Sequence, residues 1–184
     1  MTRIPTNMIP LGFKAPEFNL QDIPTGKNLS FADIKGKNGT VVVFICNHCP
    51  FVIHIIEELV KVGKEYINQG IGFVMINSND VVSYPQDSPE NMVKFAEENS
   101  FPFPYLFDET QEVAKLYDAV CTPDFNVFDH NDICVYRGQF DNSRPGNTEP
   151  INGKDLRAVL DLVAQHKEVP KSQKPSLGCN IKWK

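Results

Sequence analysis

The sequence predicts a mixed α/β sandwich, a central β-sheet flanked by helices, and three observations carry that reading. Thr40–Ile45 and Ile71–Ile76 are short apolar runs rich in β-branched and aromatic residues without polar alternation, the pattern of strands buried on both faces. Between them Val52, Ile55, Ile56, Leu59, Val62 and Tyr66 recur at helical spacing within Pro50–Gln69, and Gly70 supplies a stop. Strand, helix and strand in that order make a βαβ unit, hence a parallel pair with a right-handed crossover.

The other elements follow along the chain. Residues 1–14 form an irregular entry segment, then an extended piece at Phe18-Asn19-Leu20 and turns at Pro24-Thr25-Gly26 and Lys35-Gly36-Lys37. After the βαβ unit, a loop over Asn77–Ser88 runs into a helix with Ser88 as N-cap and Pro89 at its first position. Phe103–Phe107 is a short strand. Asp108 with Gln111 has the spacing of a capping box that opens a short helix ending at Tyr117. Phe125–Phe128 and Ile133–Gly138 read as a hairpin across the polar turn Asp129-His130-Asn131-Asp132. Gly153–His166 is amphipathic and buries Leu156, Val159, Leu160 and Val163. Residues 167–184 are a docked tail or a loose end.

The 184 residues suit one domain over 1–184. A hydrophobic share of 41% is that of a globular fold, and 11 glycines with 14 prolines are too few for a disordered or collagen-like chain. The net charge of −5 argues against binding nucleic acid through a basic surface. The longest apolar run, Val41–Cys46, is too short to span a bilayer, and Met1-Thr2-Arg3-Ile4-Pro5 carries no secretory signal. A cytoplasmic protein without nucleic-acid or membrane partners is expected.

Five cysteines is an odd number, unlike a secreted disulfide scaffold. In a reducing compartment, cysteines are catalytic, metal-binding or simply buried. Cys46 and Cys49 have the spacing C-x-x-C where a buried strand turns into an amphipathic helix. Unpaired N–H groups and the positive helix end stabilise a thiolate there, and thiolate is the nucleophile of disulfide exchange. Pro50 pins the helix start without wasting an N–H, and His48 adds positive charge when protonated. A zinc site normally asks for four ligands, and no second C-x-x-C or H-x-x-x-H pair exists, so no metal is expected. Thr122-Pro123, just before the Phe125–Phe128 strand, says on its own only turn or extended entry.

Ala15-Pro16-Glu17-Phe18, the run Val43–Pro50, Tyr105-Leu106-Phe107-Asp108 and Thr122-Pro123-Asp124-Phe125 together resemble the thioredoxin superfamily. The resemblance lies in the redoxin branch that includes thiol-specific antioxidants and membrane-tethered thiol–disulfide reductases. The chain is similar over nearly its whole length to a peroxiredoxin-like group with a C-N-H-C-P-F-V core and a Gly-Cys-x-Ile-Lys-Trp-Lys ending, here Gly178–Lys184. The resemblance implies a thioredoxin-like sandwich with an insertion after the βαβ unit and a cis bond at Pro123. It makes Cys46 the exposed attacking thiol and Cys49 the buried resolving thiol, with Asn47, His48 and Pro50 as their supporting turn. Thr122 would offer its backbone to an extended substrate chain in strand-like pairing. Cys121 then lies near the site or is a small buried apolar residue. No organic cofactor is implied. The redox-active disulfide would exchange with a disulfide-bearing protein or a small thiol or disulfide, and electrons would come from an external thiol system.

A second reading is a thiol peroxidase acting on hydroperoxides, with Cys49 peroxidatic and Cys46 resolving. Peroxiredoxins carry P-x-x-x-T-x-x-C, and here Val42 replaces the proline and Cys46 the threonine. Peroxide reduction wants a cationic partner, for which Arg137 and Arg144 are candidates beside the plainer reading of solvated arginines. Copper-delivery relatives use C-x-x-x-C-P with a distal histidine. Here the spacing is one residue shorter, His54 reads as a helix-face residue, His130 lies in a hairpin turn and His166 in a last helical turn. A redox-inactive scaffold is opposed by the intact C-x-x-C. Cys179 either resolves or seals the active site, or belongs to a docked tail whose Ile181 and Trp183 are buried and whose lysines face water. Cys134, in a strand pattern, is core. The sequence marks no general base for the thiols.

Overall fold

The computed structural model describes residues 2–184. In chain order the elements are β1 (Arg3–Pro5), β2 (Asn19–Asp22), β3 (Asn28–Ser30), α1 (Phe31–Ile34), β4 (Gly39–Phe44), α2 (Pro50–Ile67) and β5 (Ile71–Asn77). A 3₁₀ turn (Pro85–Asp87) precedes α3 (Pro89–Glu98), β6 (Tyr105–Phe107), α4 (Glu112–Leu116), β7 (Cys121–Thr122), β8 (Asp124–Asp129), β9 (Cys134–Tyr136), α5 (Lys154–Ala164) and β10 (Leu177–Asn180).

A seven-stranded mixed sheet runs β3-β2-β6-β5-β4-β8-β9. The β4–α2–β5 unit pairs its strands in parallel, Val41 opposite Phe73 and Val43 opposite Met75, while β8 returns antiparallel on the other side of β4. Strand β4 is buried at every position because the sheet has a core on each face. Val41 and Val43 pack with Leu59, Tyr66 and Leu160 on one side; Val42 and Phe44 pack with Phe31, Tyr117 and Phe128 on the other. That two-sided burial is what the unbroken apolar run requires. Helix α2 begins with Pro50 in its first turn, so the chain leaves β4, makes the Cys46–Cys49 turn and enters the helix at the sheet's carboxyl edge. Residues 78–104, between β5 and β6, hold the 3₁₀ turn and α3 and are the insertion.

Several expectations need correction. Asp108 and Gln111 form no capping box. Gln111 is the N-cap of α4 with φ 65°, and its side-chain amide is turned away, donating to the carbonyls of Ser78 and Lys182. Asp108 serves the helix differently, accepting from the N–H groups of Val113 and Ala114 and from the Ser78 hydroxyl. His166 lies beyond the end of α5 with φ 55° and stacks on His130, ring centroids 4.2 Å apart. The entry segment is not wholly irregular and the tail is not loose. Strands β1, β10 and β7 form a second, three-stranded antiparallel sheet in that order. In it Arg3 faces Cys179, and Cys179 in turn faces Thr122.

Candidate active site

The site is a cluster of sulfur atoms between the start of α2 and the small sheet. Cys46 ends the β4 extension and Cys49 is the N-cap of α2, and their thiols lie side by side. The Thr122–Pro123 peptide bond is cis, and its loop closes over the pair. The Thr122 hydroxyl lies 3.5 Å from Cys46 Sγ, and its carbonyl lies 3.2 Å from Cys49 Sγ. A third sulfur completes the group, for Cys179 on β10 faces Thr122 and lies beside Cys49. All five cysteines are free thiols and all are buried.

Cys49 is the middle sulfur. It takes hydrogen bonds from Cys179 and Cys46 and from the Val52 N–H of the first helical turn, which together hold its thiol well below the ordinary range. Its neighbours are displaced the opposite way. Donation to Cys49, burial and the charge of Asp87 push the Cys46 thiol up. Donation to Cys49 and burial do the same to Cys179. The three shifts thus run in opposite directions, the middle thiol down and its two neighbours up.

Asp87 is the buried acid that the sequence does not mark. It ends the 3₁₀ turn and is fully buried. Its Oδ1 accepts from the Asn47 N–H at 2.8 Å, and its Oδ2 accepts from the Asn79 amide at 2.8 Å and lies 2.8 Å from His48 Nδ1. Asn47 is clamped from the other side as well. Its amide donates to the Gln86 carbonyl, and its oxygen accepts from the Tyr105 hydroxyl. His48 stacks on Tyr84, and Lys182 Nζ of the tail lies over the Tyr84 ring, 5.6 Å from its centroid. Ligand-type atoms of Cys46, His48 and Asp87 all lie within 4.8 Å of one another. These three are the residues that could hold a metal ion, but both Asp87 oxygens are already engaged by amide donors, and three ligands are fewer than a structural zinc site uses.

The other expected residues divide. Cys46, Asn47, His48, Cys49, Pro50, Thr122, Pro123 and Cys179 come together. Cys46 is not exposed, with 1% of its surface accessible, and the Thr122 hydroxyl lies against its sulfur. Cys121 is a buried thiol on β7, pushed up by burial, whose Sγ bonds the Thr6 hydroxyl at 3.3 Å. Arg137 is no solvated arginine and no peroxide ligand. It is wholly buried, and its donors are spent on the carbonyls of Asn7, Tyr117 and Asp118 and on the Asn126 side chain. Arg144 is half-buried, tied to the carbonyls of Asp141 and Ser143 and to Gln139, beside His54 and Pro123. In the tail, Ile181 is buried as expected, but Trp183 is 42% exposed and Lys182 is buried, its N–H and carbonyl both held by the insertion loop.

Asp124, next to Pro123, lies 3.9 Å from Arg137 and is fully buried, which raises its carboxyl to about 6 against that arginine's pull. An acid whose folded pKa is raised binds its proton more tightly in the folded state, so its contribution grows as pH falls through 6 toward 4 and is lost above 6. The shift is worth about 3 kcal/mol as an upper estimate. Asp124→Asn is therefore expected to gain several degrees of Tm relative to wild type at pH 8 and to lose that advantage at pH 4.5. Equal effects at both pH values in thermal unfolding would contradict it.

The sequence model of the AhpC/TSA family matches residues 11–137. The chain belongs to that family. It is a thioredoxin-like redoxin, a family of redox enzymes of the thiol–disulfide oxidoreductase and peroxidase kinds. Over its full length it is 55% identical to an uncharacterized conserved protein from Geobacillus kaustophilus, covering 97% of that chain with a TM-score of 0.98. It is 44% identical to a hypothetical protein from Sinorhizobium meliloti 1021, over 98% of each chain with a TM-score of 0.95. A putative thiol:disulfide interchange protein DsbE from Chlorobium tepidum shares the fold, with a TM-score of 0.67 and 18% identity over 85% of this chain and 99% of that one. No curated protein matches the chain at a significant level. No helix among the described residues is long and apolar enough to cross a membrane.

Proposed function

We propose that this redoxin is a thiol–disulfide oxidoreductase that cycles Cys46 and Cys49 between dithiol and disulfide. The observation that carries the reading is the contact of the two sulfurs at the start of α2, with a buried carboxylate beside the first of them. Cys46 gives up its proton toward the His48–Asp87 pair, and the thiolate attacks a substrate disulfide. One substrate sulfur leaves as a thiol and the other is held in a mixed disulfide with Cys46. Cys49, already biased to the thiolate, attacks the Cys46 sulfur, closing the Cys46–Cys49 bond and releasing the second substrate thiol. An external thiol system returns the pair to the dithiol. The reaction needs no organic cofactor, and the partner is a disulfide-bearing protein or a small disulfide.

The lowered Cys49 thiol favours a second reading, a peroxidase in which Cys49 meets the hydroperoxide. Against it, Arg137 has no donor left for a peroxide oxygen. The two readings separate in one experiment: reduced protein is mixed with hydrogen peroxide or with glutathione disulfide, and each cysteine is trapped and identified by mass. A peroxide rate at the free-thiol background, with Cys46–Cys49 forming readily from glutathione disulfide, is expected. A rate far above background with sulfenic acid first at Cys49 would make the peroxidase the function.

Asp87→Asn tests the proton acceptor. Removing the charge beside Cys46 favours its thiolate, so the Cys46 titration, followed by the NMR shift of its Cβ, moves to lower pH while exchange turnover falls. An unmoved titration would take Asp87 out of the mechanism.

A further inference from the structure

The small sheet puts the chain's own tail where the resemblance seats a substrate. Cys179 pairs with Thr122 and Asn180 with Cys121, antiparallel, along the backbone edge beside the sulfur pair. Gly178 makes the approach possible, since a Cβ at that position would stand 2.0 Å from the Thr122 carbonyl oxygen. The strand is fixed further on as well. The Lys182 N–H donates to Asn79, and the Lys182 carbonyl accepts from the Asp80 N–H and the Gln111 amide. The register sets Cys179 opposite Thr122, whose carbonyl lies 3.2 Å from Cys49 Sγ, and so seats a buried cysteine beside Cys49.

We infer that Cys179 is a third redox cysteine, exchanging with the Cys46–Cys49 disulfide to give a Cys49–Cys179 disulfide that pins β10 on Thr122. The inference rests on the dithiol reading above. In the step, the Cys179 thiolate attacks Cys49 Sγ, the Cys49–Cys179 bond forms and the Cys46–Cys49 bond breaks. Cys46 leaves as a thiolate and takes up the proton that Cys179 gave up. No oxidant enters, because the two-electron oxidation made at the first pair is only moved along the row. Cys49 is the sulfur beside both Cys46 and Cys179, on the two sides of the Thr122 backbone contact, which is why the exchange runs through it. The consequence is a state in which Cys46 is again a thiol while the tail strand is covalently closed over the substrate edge.

The test is disulfide mapping in the intact chain. Reduced wild type and Cys179→Ser are each treated with one equivalent of glutathione disulfide, quenched in acid, alkylated, digested and analysed by mass. Wild type is expected to give linked peptides for both Cys46–Cys49 and Cys49–Cys179. Cys179→Ser is expected to lose the second, with Cys46–Cys49 taking its place. Wild type that forms Cys46–Cys49 while Cys179 is recovered fully alkylated overturns this inference and leaves the dithiol reading standing. Wild type that forms no disulfide among these cysteines overturns both.

Discussion

Cys46→Ser is expected to lower disulfide-exchange turnover by on the order of a thousandfold or more, because serine supplies no nucleophile at neutral pH and no sulfur for the mixed disulfide. Its partner variant should behave differently. With Cys49→Ser the first attack survives and the second does not, so substrate is expected to accumulate on Cys46 as a mixed disulfide. Non-reducing electrophoresis and peptide mass show the adduct directly. The pair of outcomes is informative because the Cys49 thiol is shifted down while that of Cys46 is shifted up. If Cys46→Ser kept its turnover and Cys49→Ser lost everything, the attacking role would pass to Cys49. The direction proposed here follows from position: Cys46 has the carboxylate of Asp87 and the hydroxyl of Thr122 at hand, and Cys49 is enclosed by sulfur on both sides.

The part of this site that is legible in the sequence is the part built by local pattern. An apolar run, a C-x-x-C, a proline and a helical stripe fix where β4 ends and where α2 begins, and so fix two of the three sulfurs. Asp87 is different. It sits in Ser-Tyr-Pro-Gln-Asp-Ser, a segment without period, and only the folding of the insertion back toward β4 brings its carboxylate to Asn47 and His48. Arg137 shows the same limit from the other side. At the end of an apolar strand it reads as a surface or ligand-binding cation, whereas the fold closes carbonyls of residues 7, 117 and 118 around it. Strands β1, β7 and β10 have two to four residues each, too few for an alternation to register, and exist because they pair with one another. Lys182 and Trp183 exchange their expected places for a related reason. The backbone of Lys182 is captured by Asn79 and Asp80, which carries its side chain inward over Tyr84 and turns Trp183 out to Lys115.

Ending the chain after Ser176 removes β10 and should both destabilise the protein and open the site. Ile181, which is fully buried, is worth about 1.5–3 kcal/mol, and each lost backbone hydrogen bond to β1 and β7 about 0.5–1.5 kcal/mol. A loss of roughly 3–6 kcal/mol corresponds to a fall in Tm of roughly 6–24 °C for a chain of this size. Destabilisation alone would speed thiol modification everywhere, so Gly178→Ala isolates the second effect. Its added methyl cannot stand 2.0 Å from the Thr122 carbonyl, and the strand must shift where it lies on Thr122, the residue whose hydroxyl lies against Cys46. Alkylation of Cys46 is therefore expected to accelerate at least about tenfold in Gly178→Ala, while buried Cys134, in the second core, reacts as slowly as in wild type. Alkylation rates of all five cysteines, read by mass under native conditions, separate local opening from general loosening. Cys46 left as slow as Cys134 would mean that the tail is not what closes the site. A rise confined to Cys46 and Cys179 would mean that β10 holds the substrate edge of Thr122 until something with a better strand displaces it.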